Sequence, residues 1–127
     1  MNGWIQLVGR ILLAHIFVLA GLDKLGAWEA TGQYMSAMGV PAGLLPLVVL
    51  LEVGGGLLLA LGLFTRWAAW ALAIFTVLAA IIFHSQISDQ IQMILFMKNL
   101  AITGGLLTVA SLDRPALSLD ARRMRKS

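Results

Sequence analysis

Residues 44–64 read LLPLVVLLEVGGGLLLALGLF and hold a single ionisable side chain, Glu52. The hydrocarbon core of a bilayer is about 30 Å thick, so a helix needs roughly 20 apolar residues to cross it. This stretch is long and apolar enough, and three similar stretches lie at about 4–22, 67–83 and 91–112. The sequence therefore predicts an all-α integral membrane protein, a four-helix bundle that forms one domain over residues 1–127.

The composition excludes the water-soluble classes of protein. Of 127 residues, 60% are hydrophobic and 12% are charged, whereas a soluble domain carries about 25% charged residues. Five of the nine basic residues lie in the last fourteen positions, so the high pI reflects the tail and indicates no nucleic-acid partner. The chain has no cysteine and therefore offers neither disulfides nor thiolate metal ligands. We predict no metal site, and the lipid bilayer is the partner that the composition indicates.

Lysine and arginine predict the orientation of the four spans, because cytoplasmic loops carry an excess of these residues. With both termini inside, Lys24 is the only lysine or arginine in the outer segments. The inner side then holds the basic residues Arg66, Arg114, Arg122, Arg123, Arg125 and Lys126. We therefore predict cytoplasmic N- and C-termini and a basic cytoplasmic tail at 113–127. Residues 23–43 are expected to form an outer loop, with Trp28 and Tyr34 as interfacial anchors.

Polar side chains inside the spans are the residues most informative about function. A charge at the bilayer centre costs roughly 2.5–3.5 kcal/mol even on the lenient insertion scale, so such groups normally face a protein interior. Helical spacing places Arg10 and Lys24 on one stripe of the first span and Glu52 on a glycine-lined face of the second. His84 ends a small-residue stripe in the third span. In the fourth span Lys98 shares one face with Ile102, Gly105 and Val109, and Asn99 lies on the adjacent edge.

Depth along the helices predicts which of these groups meet. At 1.5 Å per residue, Glu52 lies about 12 Å and Lys98 about 10 Å below the outer starts of their helices. We therefore predict a Glu52–Lys98 ion pair, with Arg10 reaching toward Glu52. The predicted polar core or ligand-binding site comprises Arg10, Lys24, Glu52, His84, Lys98 and Asn99. An ion pair that only fixes the register of the helices is the alternative.

Short motifs occur in an order that resembles the DoxX family of small bacterial membrane proteins. They are GR at 9–10, GLDKL at 21–25, EVGGGL at 52–57, LGLFTR at 61–66, IFH at 82–84, KNLA at 98–101 and GGLL at 104–107. The resemblance covers about residues 4–112 and implies a four-helix protein of the bacterial inner membrane. The six residues of the predicted site match the family's polar pattern.

The resemblance also implies a link to membrane redox chemistry, because some relatives resemble subunits of thiosulfate:quinone oxidoreductases or partners in detoxifying oxidoreductase complexes. Our leading hypothesis is an accessory protein that binds a lipophilic ligand such as a quinone. Haem is not expected, since His15 and His84 lie at different depths. A catalytic subunit of a quinone-linked oxidoreductase stays open, although a stand-alone enzyme is not expected. Two further alternatives also stay open. One is a carrier for small molecules or protons that acts as an oligomer such as a homodimer, and the other is a purely structural or assembly subunit.

Overall fold

The computed structural model describes residues 3–86, 88–112 and 115–126. Within these ranges the chain is helical, with α1 (Gly3–Gly26), α2 (Trp28–Ala37), α3 (Leu45–Leu61), α4 (Thr65–Phe83), α5 (Gln90–Ala110) and α6 (Leu119–Lys126), and a 3-10 turn at Ala42–Leu44. The described ranges contain no strand. Four helices, α1, α3 with the turn before it, α4 and α5, are long and apolar enough to cross a membrane. The predicted all-α, four-helix membrane fold is confirmed.

Local sequence signals explain where the spans begin and end. Pro46 stands in the first turn of α3, where its missing N–H leaves no helical hydrogen bond unmade. Gly62 ends α3 in the left-handed conformation at φ 72°, which glycine adopts without steric cost. Asp89 begins α5 by accepting a hydrogen bond from the backbone N–H of Ile91 at 3.0 Å. These signals set a short α3–α4 turn and a longer α4–α5 connection.

Glycines bring the spanning helices close together. A Cβ at Gly21 of α1 would lie 2.5 Å from Val53 Cγ2, and a Cβ at Gly56 of α3 would lie 2.7 Å from Val18 Cγ2. Neither position has room for a side chain, so α1 and α3 are in close contact along their length. In lipid such packing is a main source of helix association, because the hydrophobic effect does not drive it.

Helix α2 differs from the predicted outer loop. It lies over one end of the bundle, where the ring of Tyr34 stacks on Phe83 with a centroid distance of 5.3 Å. Met35 is buried and packs in a cluster with Leu45 and Val49. The C-terminal end of α1 and the start of α3 meet at this same end, which we call the Lys24 end. The opposite end, where α1 begins and α3 ends, is the Arg10 end.

The buried faces of the spans agree with the predicted stripes in three helices and disagree in the fourth. In α1 the buried residues are Arg10, Ala14, Phe17 and Gly21, which lie on one stripe. The buried stripe residues of α3 are Glu52, Gly55, Gly56 and Leu59, and those of α4 are Ala69, Ala73, Thr76 and Ala80. In α5 the buried residues are Thr103, Leu106 and Ala110. Of the predicted basic tail, Arg114 and the side chains of Arg125 and Lys126 lie outside what the structure describes.

Candidate ligand-binding site

A buried ion pair joins α1 to α3 at the Lys24 end. Lys24 Nζ lies 2.7 Å from Glu52 Oε1, and Glu52 is only 4% exposed. The pair forms because Gly21, one turn before Lys24, lets α1 approach α3 beside Glu52; a Cβ at Gly21 would be 3.3 Å from the Glu52 Cβ. A charge inside an apolar bundle is expensive unless it is paired, and here each charge neutralises the other.

A cavity of about 460 Å³ lies against this ion pair. All four spans and α2 contribute to its wall, which is mainly aliphatic and aromatic. Its polar lining residues are Lys24, Thr31, Tyr34, Glu52, Thr76, His84 and Asn99. Small-molecule sites are typically clefts of roughly 300–1,000 Å³ with an apolar lining and a few placed polar groups. The cavity has the size and the lining of such a site.

Hydrogen bonds hold two of the polar lining residues in position. His84 Nδ1 lies 2.9 Å from Gln92 Oε1; the amide oxygen only accepts, so Nδ1 donates in this contact. Asn99 Nδ2 donates to the backbone oxygen of Thr76 at 3.4 Å. The first contact joins α5 to His84, which directly follows α4, and the second joins α5 to α4 itself. They hold in place two polar groups of the cavity wall.

The structure brings four of the six predicted site residues together. Lys24, Glu52, His84 and Asn99 all line the cavity. The predicted Glu52–Lys98 pair is wrong, because Glu52 pairs with Lys24 and Lys98 is exposed on the outside of α5. Neighbouring residues of a helix point about 100° apart, so equal depth does not give equal direction.

Arg10 also departs from its predicted contact with Glu52. It lies at the Arg10 end, is 0% exposed, and donates through Nη2 to the backbone oxygens of Ala116 and Leu117, each at 2.8 Å. A longer contact at 3.4 Å joins its Nη1 to Leu59 O. Arg10 therefore binds the C-terminal segment and contributes nothing to the cavity wall.

Two cavity residues that sequence analysis missed, Thr31 and Tyr34, lie on α2. Their segment looked like a loop because it is short and partly polar. A helix signal was nevertheless present: Glu29 stands in the first turn, where a negative charge favours helix formation. The spacing of Thr31, Tyr34 and Met35 also places them on one helical face.

At the Arg10 end a second acidic residue is held tightly, outside the spans. Asp120 accepts hydrogen bonds from the backbone N–H groups of Phe64 at 2.9 Å and Thr65 at 2.8 Å, where α4 begins. Partial burial raises the pKa of Asp120, but the Thr65 side chain, these two N–H groups and Arg123 outweigh burial and lower the pKa below its ordinary value. The carboxylate thus caps α4 in its charged form.

Comparisons with known proteins agree with this architecture. The family model DoxX matches residues 5–85. The inner membrane protein YqjF of Escherichia coli K12 is 47% identical over 114 residues, which cover 90% of this chain and 88% of that protein. The inner membrane protein YphA of the same organism is 35% identical over 123 residues, which cover 91% and 88%. No solved structure matches the chain.

Proposed function

The chain belongs to the DoxX family and is an integral inner-membrane protein, and from this premise we propose that it binds a lipophilic small molecule in the cavity at the Lys24 end. The ligand that we propose is a quinone. In this role the protein is an accessory to membrane redox chemistry and holds the quinone for a partner oxidoreductase.

The observation that carries the proposal is the Lys24–Glu52 ion pair in the wall of an otherwise apolar cavity. A lysine ammonium has three N–H donors, so pairing with one carboxylate oxygen leaves donors for a ligand. Asn99 of α5 and His84 at the end of α4 add further polar groups to the wall. A quinone complements such a site, because its ring and tail are apolar and its two carbonyl oxygens accept hydrogen bonds.

The direct test is binding of a short-chain quinone to the purified protein in nanodiscs. We expect wild type to bind, and we expect Lys24→Met and Glu52→Gln to bind at least about tenfold more weakly, which corresponds to about 1.4 kcal/mol. Matched controls are Lys98→Met and Asp23→Asn, which remove the same charges from exposed positions that do not line the cavity. Both controls should bind as wild type does.

Two results would contradict the proposal. The first is wild-type protein that shows no saturable quinone binding, with native mass spectrometry finding no lipophilic molecule retained after extraction. The second is equal affinity in the two cavity variants and the two controls. Either result would favour the alternative in which the ion pair only fixes the packing of α1 against α3.

A further inference from the structure

The C-terminal segment, residues 115–123, packs directly against two glycines at the Arg10 end. Gly62, at the end of α3, has a positive φ, and a Cβ there would lie 2.2 Å from Ser118 Cβ and 2.2 Å from Arg10 Nη1. At the start of α1, a Cβ at Gly3 would meet the Cβ of Ala116 at 3.1 Å. Two glycines thus make room for residues that follow the last span.

Contacts from three different elements hold this segment. From α1, Arg10 donates to the oxygens of Ala116 and Leu117, and Gln6 Oε1 accepts from the Ala116 N–H at 2.8 Å. From the α3–α4 turn, Gly62 O accepts from the Asp120 N–H at 2.8 Å. From α4, the first N–H groups bind the Asp120 carboxylate.

Charged side chains of both signs take part in these contacts. Arg10 is a cation beneath backbone oxygens, and hydrogen bonds from a charged donor are stronger than neutral ones. Asp120 is an anion at the positive end of the α4 dipole and also attracts the Arg10 guanidinium. Arg123, at 5.0 Å from the centre of the Phe64 ring, adds a cation–π contact.

We propose that residues 115–123 form a lid that seals the Arg10 end of the bundle, held by two opposite charges, Arg10 and Asp120. The lid covers Arg10, which is 0% exposed, at the end of the bundle opposite the cavity. The lid is also poised to open, because two residues that take part in its contacts, Phe64 and Leu117, adopt left-handed backbone conformations at φ 49°. Such conformations are strained in residues other than glycine.

Trypsin cleavage after Arg122 in nanodiscs measures how often the lid opens. Asp120→Asn keeps an acceptor but loses the charge, and Arg10→Met loses the donor. We expect each to accelerate cleavage at least about tenfold, the change produced by losing roughly 1.4 kcal/mol of docking free energy. The controls Asp23→Asn and Lys98→Met should be cleaved at the wild-type rate. Equal rates in all four variants would overturn the lid.

A second measurement separates opening of the lid from loosening of the whole bundle. The chain has no cysteine, so one introduced cysteine reports alone on access of a water-soluble maleimide. Ala14 and Ala80 are both buried, at 2% and 0% exposure, and lie toward the Arg10 end and the Lys24 end respectively. In the Asp120→Asn background we expect labelling of Ala14→Cys to rise about tenfold and that of Ala80→Cys to stay at its baseline, since docking free energy sets access. A parallel rise at both positions, or none at Ala14→Cys, would refute a seal at the Arg10 end.

Discussion

The two ends of the bundle each use a cation from the same stripe of α1, with opposite results. At one end Arg10 uses its guanidinium to bind backbone oxygens of another segment, and the space around it is filled. At the other end Lys24 pairs with a single carboxylate and leaves a cavity of about 460 Å³ beside the pair. Arginine presents a planar fork of five donors, whereas lysine is a compact charge.

We infer from this contrast that the Arg10 end mainly stabilises the fold and that the Lys24 end holds the proposed ligand site. A cation that is buried against three backbone oxygens and does not line the cavity cannot contact a ligand there, but it is costly to remove. A cation that faces an apolar cavity across one ion pair stabilises the fold less and remains available. We therefore expect substitutions at the Arg10 end to act mainly on stability, and those at the Lys24 end to act mainly on binding.

The largest effect should come from Gly62→Ala at the Arg10 end. An alanine at position 62 would have to adopt the left-handed backbone conformation of Gly62, and its methyl group would collide with Arg10 and Ser118. Strain and overpacking together should lower the free energy of unfolding by about 4 kcal/mol, measured by denaturant unfolding in detergent micelles. Gly104→Ala is the matched control, since nothing lies within 4 Å of a Cβ at Gly104. A Gly62→Ala protein as stable as the Gly104→Ala protein would show that the packing at this end is not tight.

Arg10→Met should come next, because it leaves the backbone oxygens of Leu59, Ala116 and Leu117 without their charged donor. We expect a loss of about 3 kcal/mol in unfolding free energy. Quinone affinity measured on the folded fraction should be unchanged, since Arg10 does not line the cavity. Arg10→Lys, which keeps the charge but loses the fork, should recover part of the stability. Loss of binding in folded Arg10→Met protein would break the division between the two ends.

At the Lys24 end, stability and binding should separate in a double variant. Lys24→Met or Glu52→Gln alone should cost about 2 kcal/mol of stability, less than the 3–5 kcal/mol typical of fully buried pairs because the lysine is partly exposed. The variant that combines Lys24→Met with Glu52→Gln should regain about 1 kcal/mol, since neither charge is left alone, yet it should still bind quinone weakly. Restored affinity in the double variant would mean that the ion pair does not contact the ligand.

Sequence alone was sufficient for the features that depend on local periodicity. The inward faces of α1, α3 and α4 could be predicted because small and polar residues lie on one side of each helix. Helix α5 is apolar around most of its circumference, so nothing in its periodicity distinguished Asn99, which lines the cavity, from Lys98, which is exposed. The buried face of α5 lies one residue further along the chain than the predicted face, and the predicted Glu52–Lys98 ion pair was wrong for this reason.

Contacts that depend on long-range packing could not be predicted from the sequence. Arg10 and Ala116 are 106 positions apart in the chain, and neither has a local pattern that indicates the other. The Lys24–Glu52 pair escaped prediction for a different reason. Depth along the backbone does not locate this charge, because a lysine near a helix end can extend its charged group well away from its own Cα.

The smallest expected effect is a pH dependence of the lid, which follows from Asp120. Hydrogen bonds from Phe64 and Thr65 and the charge of Arg123 lower its pKa below the ordinary value of 3.8 despite partial burial. A group whose folded-state pKa is lowered stabilises the folded state above its unfolded pKa, and this contribution is lost as the pH falls through the folded value. Docking of the lid should therefore be constant above about pH 4 and weaken below it, by no more than the loss expected for Asp120→Asn, because protonation removes the same charge. Position 122 follows Asp120 in α6, and a spin label on Arg122→Cys should report greater mobility in acid. In the Asp120→Asn background that acid response should be absent; an identical response in both backgrounds would assign it to another carboxyl group, such as Glu52, and remove the argument that the Asp120 charge holds the lid.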